Sequence, residues 1–195
     1  MRRIFVLFLT WIFSKFRVYI YRFFLSDNSP DGDLSNVFQA VNFIGKGRIL
    51  IQSSNIGFWP SPKLLSSNSY IEARDSDVLV SIGSDTYINN NAVIIADRTS
   101  ISIGQRCVIG PNFFAVDSDF HGLSVANRSN GCYECEPVTI GDDVFIGESV
   151  KILKGVSVGN GSVIGSGSVV TKDVEPFSLY AGVPAKFIKF IKSTD

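Results

Sequence analysis

His121 is the only histidine in the chain, and it stands in the run Asp117-Ser118-Asp119-Phe120-His121-Gly122. An imidazole takes up and returns a proton near neutral pH, which makes it the natural general base for activating a hydroxyl. Asp117 and Asp119 are both close enough in sequence to fix its tautomer or raise its basicity. Cys132 and Cys135 form a CxxC further along the same segment, and with His121 they would supply three zinc ligands. An isolated CxxC lacks the second pair that makes a zinc spacing persuasive, so no metal is expected. Taken by itself, a lone histidine in so polar a segment reads as a solvated loop side chain.

The elements that must position these residues are written in a period of six. Ile140, Ile146, Ile152, Val158, Ile164 and Val170 recur every sixth residue, with Val144, Val150, Val156, Ser162, Ser168 and Val174 four places after each. Six matches neither a helix nor a plain strand, but it fits a coil that turns a corner every six residues and buries the first and fifth positions. Gly141, Gly147, Gly159 and Gly165 are expected where the backbone bends. An earlier tract runs Ile82, Ile88, Ile94, then after three extra residues Ile103, Ile109 and Ala115, with Cys107 at an inward fifth position. Between the tracts, residues 116–137 are too polar to fill an inward column, so they are expected to leave the coil as a loop carrying His121.

These residues resemble the hexapeptide-repeat acyltransferases, and most of all the galactoside, maltose and polysaccharide O-acetyltransferases. The likeness rests on YINNNAVIIAD at 87–97, on DSDFHG, and on VFIGESVKILKGVSVGNGSVIGSGSVVTKDVEPFSLYAGVPAKFIK at 144–189. It covers residues 70–190 well and 40–69 loosely. The resemblance implies an all-β fold, a left-handed parallel β-helix of hexapeptide repeats with an extruded loop. Handedness comes from the resemblance alone, because parallel crossovers in general favour the right hand. It also implies a homotrimer that uses acetyl-CoA as co-substrate and transfers the acetyl group directly to a sugar hydroxyl, with His121 as general base. Asn89, Asp97 and Asp119 would contact the acceptor. Phe145 and Gly147 would lie beside the thioester, and Ser166, Thr171, Lys172, Lys186 and Lys189 along the pantetheine arm and phosphates. Lys186 and Lys189 replace arginines common at those places, keeping the charge and losing the bidentate fork. Glu148 departs from the small residue usual there; it either orients His121 of a neighbouring subunit or is a solvated corner residue.

Residues 1–25 hold Arg2, Arg3, Lys15, Arg17 and Arg22, no acid, and many aromatic residues. Of 18 basic residues 13 lie outside this segment against all 18 acids, so the segment carries +5 and the remainder −5. As a helix it aligns Arg3, Thr10, Ser14, Arg17 and Tyr21 on one stripe, with an apolar remainder. That pattern suits an interfacial helix with its apolar body at the acyl boundary and its cations at anionic headgroups. Ile4 to Phe13, the uninterrupted apolar run, is about half a bilayer span. No small-residue cleavage site follows. Residues 26–36 read as a polar linker, 37–190 as the coil domain and 191–195 as a tail. Together these suggest an enzyme on the cytoplasmic face of a membrane acting on a lipid-linked glycan, such as an O-antigen, capsule or exopolysaccharide intermediate. No nucleic-acid partner is expected. A serine acetyltransferase, an amino-sugar N-acyltransferase and a non-catalytic scaffold remain alternatives, whereas a zinc carbonic anhydrase of this repeat type would need three histidines.

Overall fold

A computed structural model describes residues 2–191; Met1 and residues 192–195, with most of the expected tail, lie outside the described residues. Short strands, many of only two residues, stack into three sheets of six, seven and six strands. Successive strands go to successive sheets, and all coil-to-coil pairing is parallel, so the chain winds as a β-helix of triangular section. The register follows the hexads. Ile109 pairs with Ile146 and Ile146 with Ile164, while Ala115 pairs with Ile152 and Ile152 with Val170. Every hexad-initial residue from Ile82 to Val170 is buried, as are the fifth-position residues of the uninterrupted hexads, Cys107, Ser162 and Ser168 among them, whereas Arg98 and Asp119, where the register breaks, are exposed. One continuous aliphatic column fills the prism, and each buried Ile contributes roughly 1.5–3 kcal/mol relative to exposure.

The bends are made differently from expectation. Residues with φ in the left-handed region occupy the fourth place of the hexads: Asp85, Asn91, Arg106, Asn112, Asp143 and Ser149, then Gly155, Gly161 and Gly167. Asn and Asp tolerate that conformation because their short polar side chains bond locally. The second-place glycines, by contrast, are not in the left-handed region. Gly147 is small because a Cβ there would sit 2.6 Å from the backbone nitrogen of Ser166 in the next coil. Those glycines answer to the closeness of neighbouring coils rather than to the bend.

Coil structure begins earlier than the repeats reveal. Val41–Ile44 pairs with Ser69–Ala73, and Arg48–Ile51 with Leu79–Ile82. The 26–36 segment is laid on the coil instead of spanning free space. Asp31–Gly32 pairs with Leu50 and Ile51, Asn28 donates to the carbonyls of Gly45 and Gly47, and Arg48 pairs with Asp31 at 2.8 Å.

The helix Arg2–Phe24 forms as expected but faces the other way. Thr10 and Ser14 are buried against the coil, and Ser14 donates to the Phe38 carbonyl. Arg17 donates to the carbonyls of Leu64 and Ser67 at 3.0 and 2.7 Å, and Lys15 lies over the Phe38 ring. The polar stripe is therefore the docking face, because the coil surface offers backbone carbonyls that only donors can satisfy. Arg2, Arg3 and Arg22 remain exposed. Phe5, Phe13, Phe16 and Phe23 point outward in this chain, while Ile4, Phe8 and Trp11, also exposed, border a crevice against the coil. At 23 residues the helix is long and apolar enough by composition to cross a bilayer, yet its midpoint is tied to the coil.

Candidate functional site

The extruded loop leaves the coil after Phe114–Val116 and returns at Val138–Ile140. Its neck is closed by an antiparallel bridge between Ser118 and Cys135, and the Glu136 amide donates to the Asp117 carbonyl at 2.8 Å. Lys154, from the following coil, holds the neck through Asp119, Glu134 and Glu136 at 3.4, 3.1 and 3.4 Å. Burial disfavours the Lys154 ammonium, but these carboxylates outweigh it and raise its pKa. Two arginines seat the loop's aromatic residues: Arg98 lies 4.0 Å from the Tyr133 ring centre and Arg74 5.3 Å from that of Phe120.

Within the loop, Nδ1 of His121 lies 2.9 Å from the Arg128 carbonyl oxygen. A carbonyl only accepts, so Nδ1 carries the proton and Nε2 is left as the accepting nitrogen. This is the tautomer a general base needs, and a backbone group sets it rather than either neighbouring aspartate. Asp117 is fully buried. Its oxygens accept from the amides of Asp97, Arg98 and Thr99 at 2.7, 3.1 and 2.8 Å and from the Thr99 hydroxyl. The three residues that interrupt the early hexads are thus wrapped around this carboxylate. Asp119 faces Lys154. The expectation that Asp117 or Asp119 orients His121 is corrected accordingly.

Asp97 is also buried, with one oxygen 2.6 Å from Arg74. Arg74 is gripped from its other side by Glu72 at 2.7 Å, and that hydrogen bond pushes its pKa further up. The Asp97 carboxylate raises the pKa of the Tyr133 phenol, and burial raises that of the Cys135 thiol, which points at Asp97. Cys132 is exposed. In this chain Asp97 serves the loop's seating and does not stand open. Sequence reasoning missed Arg74, Arg98 and Lys154. The signal lay in the register: Ala73 pairs with Ala96 and Ile152 with Ala115, which stacks Arg74 on Asp97 and Lys154 on Asp117 at one corner.

The other named residues fall elsewhere. Asn89 is half-buried at the opposite end of the Val93–Ala96 sheet, accepting from the Asn90 amide and facing a cavity of about 210 Å³ with Tyr87 and Ile109. Glu148, exposed two coils further along that corner, accepts from Asn112 at 3.4 Å, and its amide donates to the Ser166 hydroxyl at 3.2 Å. Phe145 is half-exposed on the sheet that carries Val163 and, through Leu179, the hairpin Ser178–Gly182 and Ala185–Phe190 with Lys186 and Lys189. Thr171 and Lys172 follow Val169–Val170 at the loop's corner, exposed. One chain thus brings Gly147, Glu148 and Ser166 together. It leaves His121 at the corner facing away from the Phe145 sheet. The open depression around His121, about 540 Å³, is lined by loop residues alone.

Comparison with known proteins places this architecture. Residues 137–172 match the family described as bacterial transferase hexapeptide (six repeats), and residues 79–114 the hexapeptide repeat of succinyl-transferase. Galactoside O-acetyltransferase of Escherichia coli (strain K12) is 40% identical over 116 residues, which is 60% of this chain and 56% of that protein. The chain spans about half the length of the curated relatives it matches. A hexapeptide-repeat-containing acetyltransferase of Vibrio cholerae O1 biovar eltor, solved with acetyl coenzyme A, is 38% identical with a TM-score of 0.54 over 58% of this chain and 61% of that one. A polysialic acid O-acetyltransferase is 27% identical, with a TM-score of 0.65 over 84% of this chain and 75% of that one.

Proposed function

We propose that this chain, which carries the hexapeptide repeats of bacterial transferases, is an acetyl-CoA-dependent O-acetyltransferase acting on a sugar hydroxyl of a surface-polysaccharide intermediate. The observation that carries the reading is the His121 hydrogen bond to the Arg128 carbonyl, which leaves Nε2 free to accept a proton. Support comes from the relatives' names, galactoside and polysialic acid O-acetyltransferase, and from the acetyl coenzyme A complex.

Acetyl-CoA would supply the activated acetyl thioester; Lys186 and Lys189 suit its phosphates as point charges, and the exposed Phe145 ring suits the arm beside the thioester. His121 Nε2 takes the proton of the acceptor hydroxyl as that oxygen attacks the acetyl carbonyl. The Arg128 carbonyl keeps the ring oriented. Because His121 and the Phe145 sheet diverge within one chain, the working site is completed between copies, in a trimer of left-handed coils where the loop of one chain meets the Phe145 face of the next. The outward apolar face of the helix and the exposed Arg2, Arg3 and Arg22 support a reading in which the assembly works at an anionic membrane surface, on the cytoplasmic side where acetyl-CoA is available, with a lipid-linked glycan as acceptor.

His121→Ala tests the reading. Transfer from acetyl-CoA should fall by about two to four decades, about 2.7–5.5 kcal/mol of transition-state stabilisation, with calorimetric acetyl-CoA binding retained. Wild-type turnover in the variant would overturn the mechanism, and failure of a well-folded protein to bind acetyl-CoA would favour a scaffold.

A further inference from the structure

The geometry points to a binding site for a hydrocarbon chain between the N-terminal helix and the coil, occupied by the lipid chain of an amphiphilic sugar acceptor whose sugar end lies toward Asn89. The inference deepens the acetyltransferase reading and rests on it for the identity of the polar end.

The helix is pinned to the coil through Ser14, Lys15 and Arg17, so its first three turns overhang the sheet that carries Tyr87. Beneath the overhang lies a crevice of about 650 Å³, within the range of ligand pockets, walled by Leu7, Phe8 and Trp11 from the helix and by Phe58, Trp59 and Tyr87 from the coil. Such a wall gains nothing from a free sugar and much from an alkyl chain, whose burial is favourable in proportion to the apolar area removed from water.

The crevice is not closed at its coil end. Asn55, Gly57, Phe58 and Tyr87 also line the smaller cavity that reaches Asn89 and Ile109, so an apolar channel passes into a polar corner. There Asn90 holds the first part of the 57–68 insertion by donating to the carbonyls of Phe58, Ser61 and Pro62. The exposed Lys63 follows, bonded at 2.9 Å to Asn112, which in turn reaches Glu148. A greasy slot, then a cation, then an amide-rich corner is complementary to a lipid chain joined through phosphate to a sugar. The charge of residues 1–25, which supply the helix wall, agrees, since their five cations are accompanied by no acid.

Both tryptophans of the chain, Trp11 and Trp59, line the crevice, so its occupancy can be read without any chemistry. The full chain, kept monodisperse in a fluorinated surfactant that mixes poorly with hydrocarbon, is titrated with dodecyl β-galactoside below its critical micelle concentration. A saturable blue shift of tryptophan emission at one ligand per chain is expected, with no shift from methyl β-galactoside. Asn55→Phe, which fills the crevice from the coil side, and Leu7→Arg, which charges its helix wall, should each weaken the response at least tenfold while calorimetric acetyl-CoA binding is retained. An unsaturable response, or a saturable one that neither variant weakens, overturns the site, as does a shift that follows a doubling of mass by light scattering, which would make a second copy the occupant. If dodecyl galactoside binds as described but is never acetylated, the catalytic reading falls and the crevice stands. If acetyl transfer proceeds with no advantage of the dodecyl over the methyl galactoside in binding, the crevice falls alone.

Discussion

The two aspartates that flank Ser118 look alike in sequence, and the structure gives them very different weight. Asp117 satisfies three backbone amides and one hydroxyl. In Asp117→Asn one side-chain oxygen remains to serve the Asp97 amide, while the new NH2 group faces the Thr99 amide, donor against donor. The Arg98 residue is exposed, so its amide can turn to water, and the Thr99 hydroxyl can rotate to accept. One buried donor is then orphaned, at roughly 1–3 kcal/mol. Asp117→Ala orphans the Asp97 amide as well, for roughly 2–6 kcal/mol. Asp119 faces a lysine that keeps Glu134 and Glu136 when Asp119 becomes Asn, so that change should cost roughly 0–1 kcal/mol, as for other solvent-screened pairs. Urea unfolding of the three variants measures these costs. Limited proteolysis in the exposed stretch 123–131 measures the local effect, because Asp117 also anchors the neck through its carbonyl. Faster loop cleavage and a lower midpoint for both Asp117 variants, with Asp119→Asn near wild type, is the expected pattern. Equal midpoints for Asp117→Asn and Asp119→Asn would refute the assignment of Asp117 as the loop's buried anchor.

Gly147→Ala should destabilise by roughly 1–3 kcal/mol in the same unfolding assay, because the added methyl meets the Ser166 backbone at 2.6 Å, which cannot swing aside as a side chain does. Among the three thiols, Cys132 should react first with a maleimide at neutral pH. Cys135 should lag and speed up as the pH rises, since burial raises its pKa and thins its thiolate at any given pH; buried Cys107, raised for the same reason, should label only on unfolding. Charging the outward face of the helix with Phe5→Asp and Phe13→Asp should abolish pelleting of the full chain with vesicles containing phosphatidylglycerol, whereas unchanged pelleting would remove the membrane from the proposal.

The hexads were legible without a structure because their rule is local. A residue at the first or fifth place is buried wherever its coil stacks, so Ile82, Cys107, Ser168 and Val174 could be assigned one by one, and a polar run with no inward positions had to leave the coil. Coils before residue 70 were harder to read, since longer strands and the 57–68 insertion break the period there. What sequence could not decide was direction and partnership among polar groups. The stripe Thr10, Ser14 and Arg17 reads equally well as a wet face or a docking face, and only the carbonyls of Phe38, Leu64 and Ser67, 24 to 50 residues away, choose the second. The roles of Asp117 and Asp119 likewise depend on stacking against the turn at 97–99 and against Lys154 in adjacent coils. Periodicity fixes which side chains enter a core because burial follows from the chain's own winding, whereas a hydrogen bond or ion pair requires a partner whose position depends on how many residues each coil spends in turning.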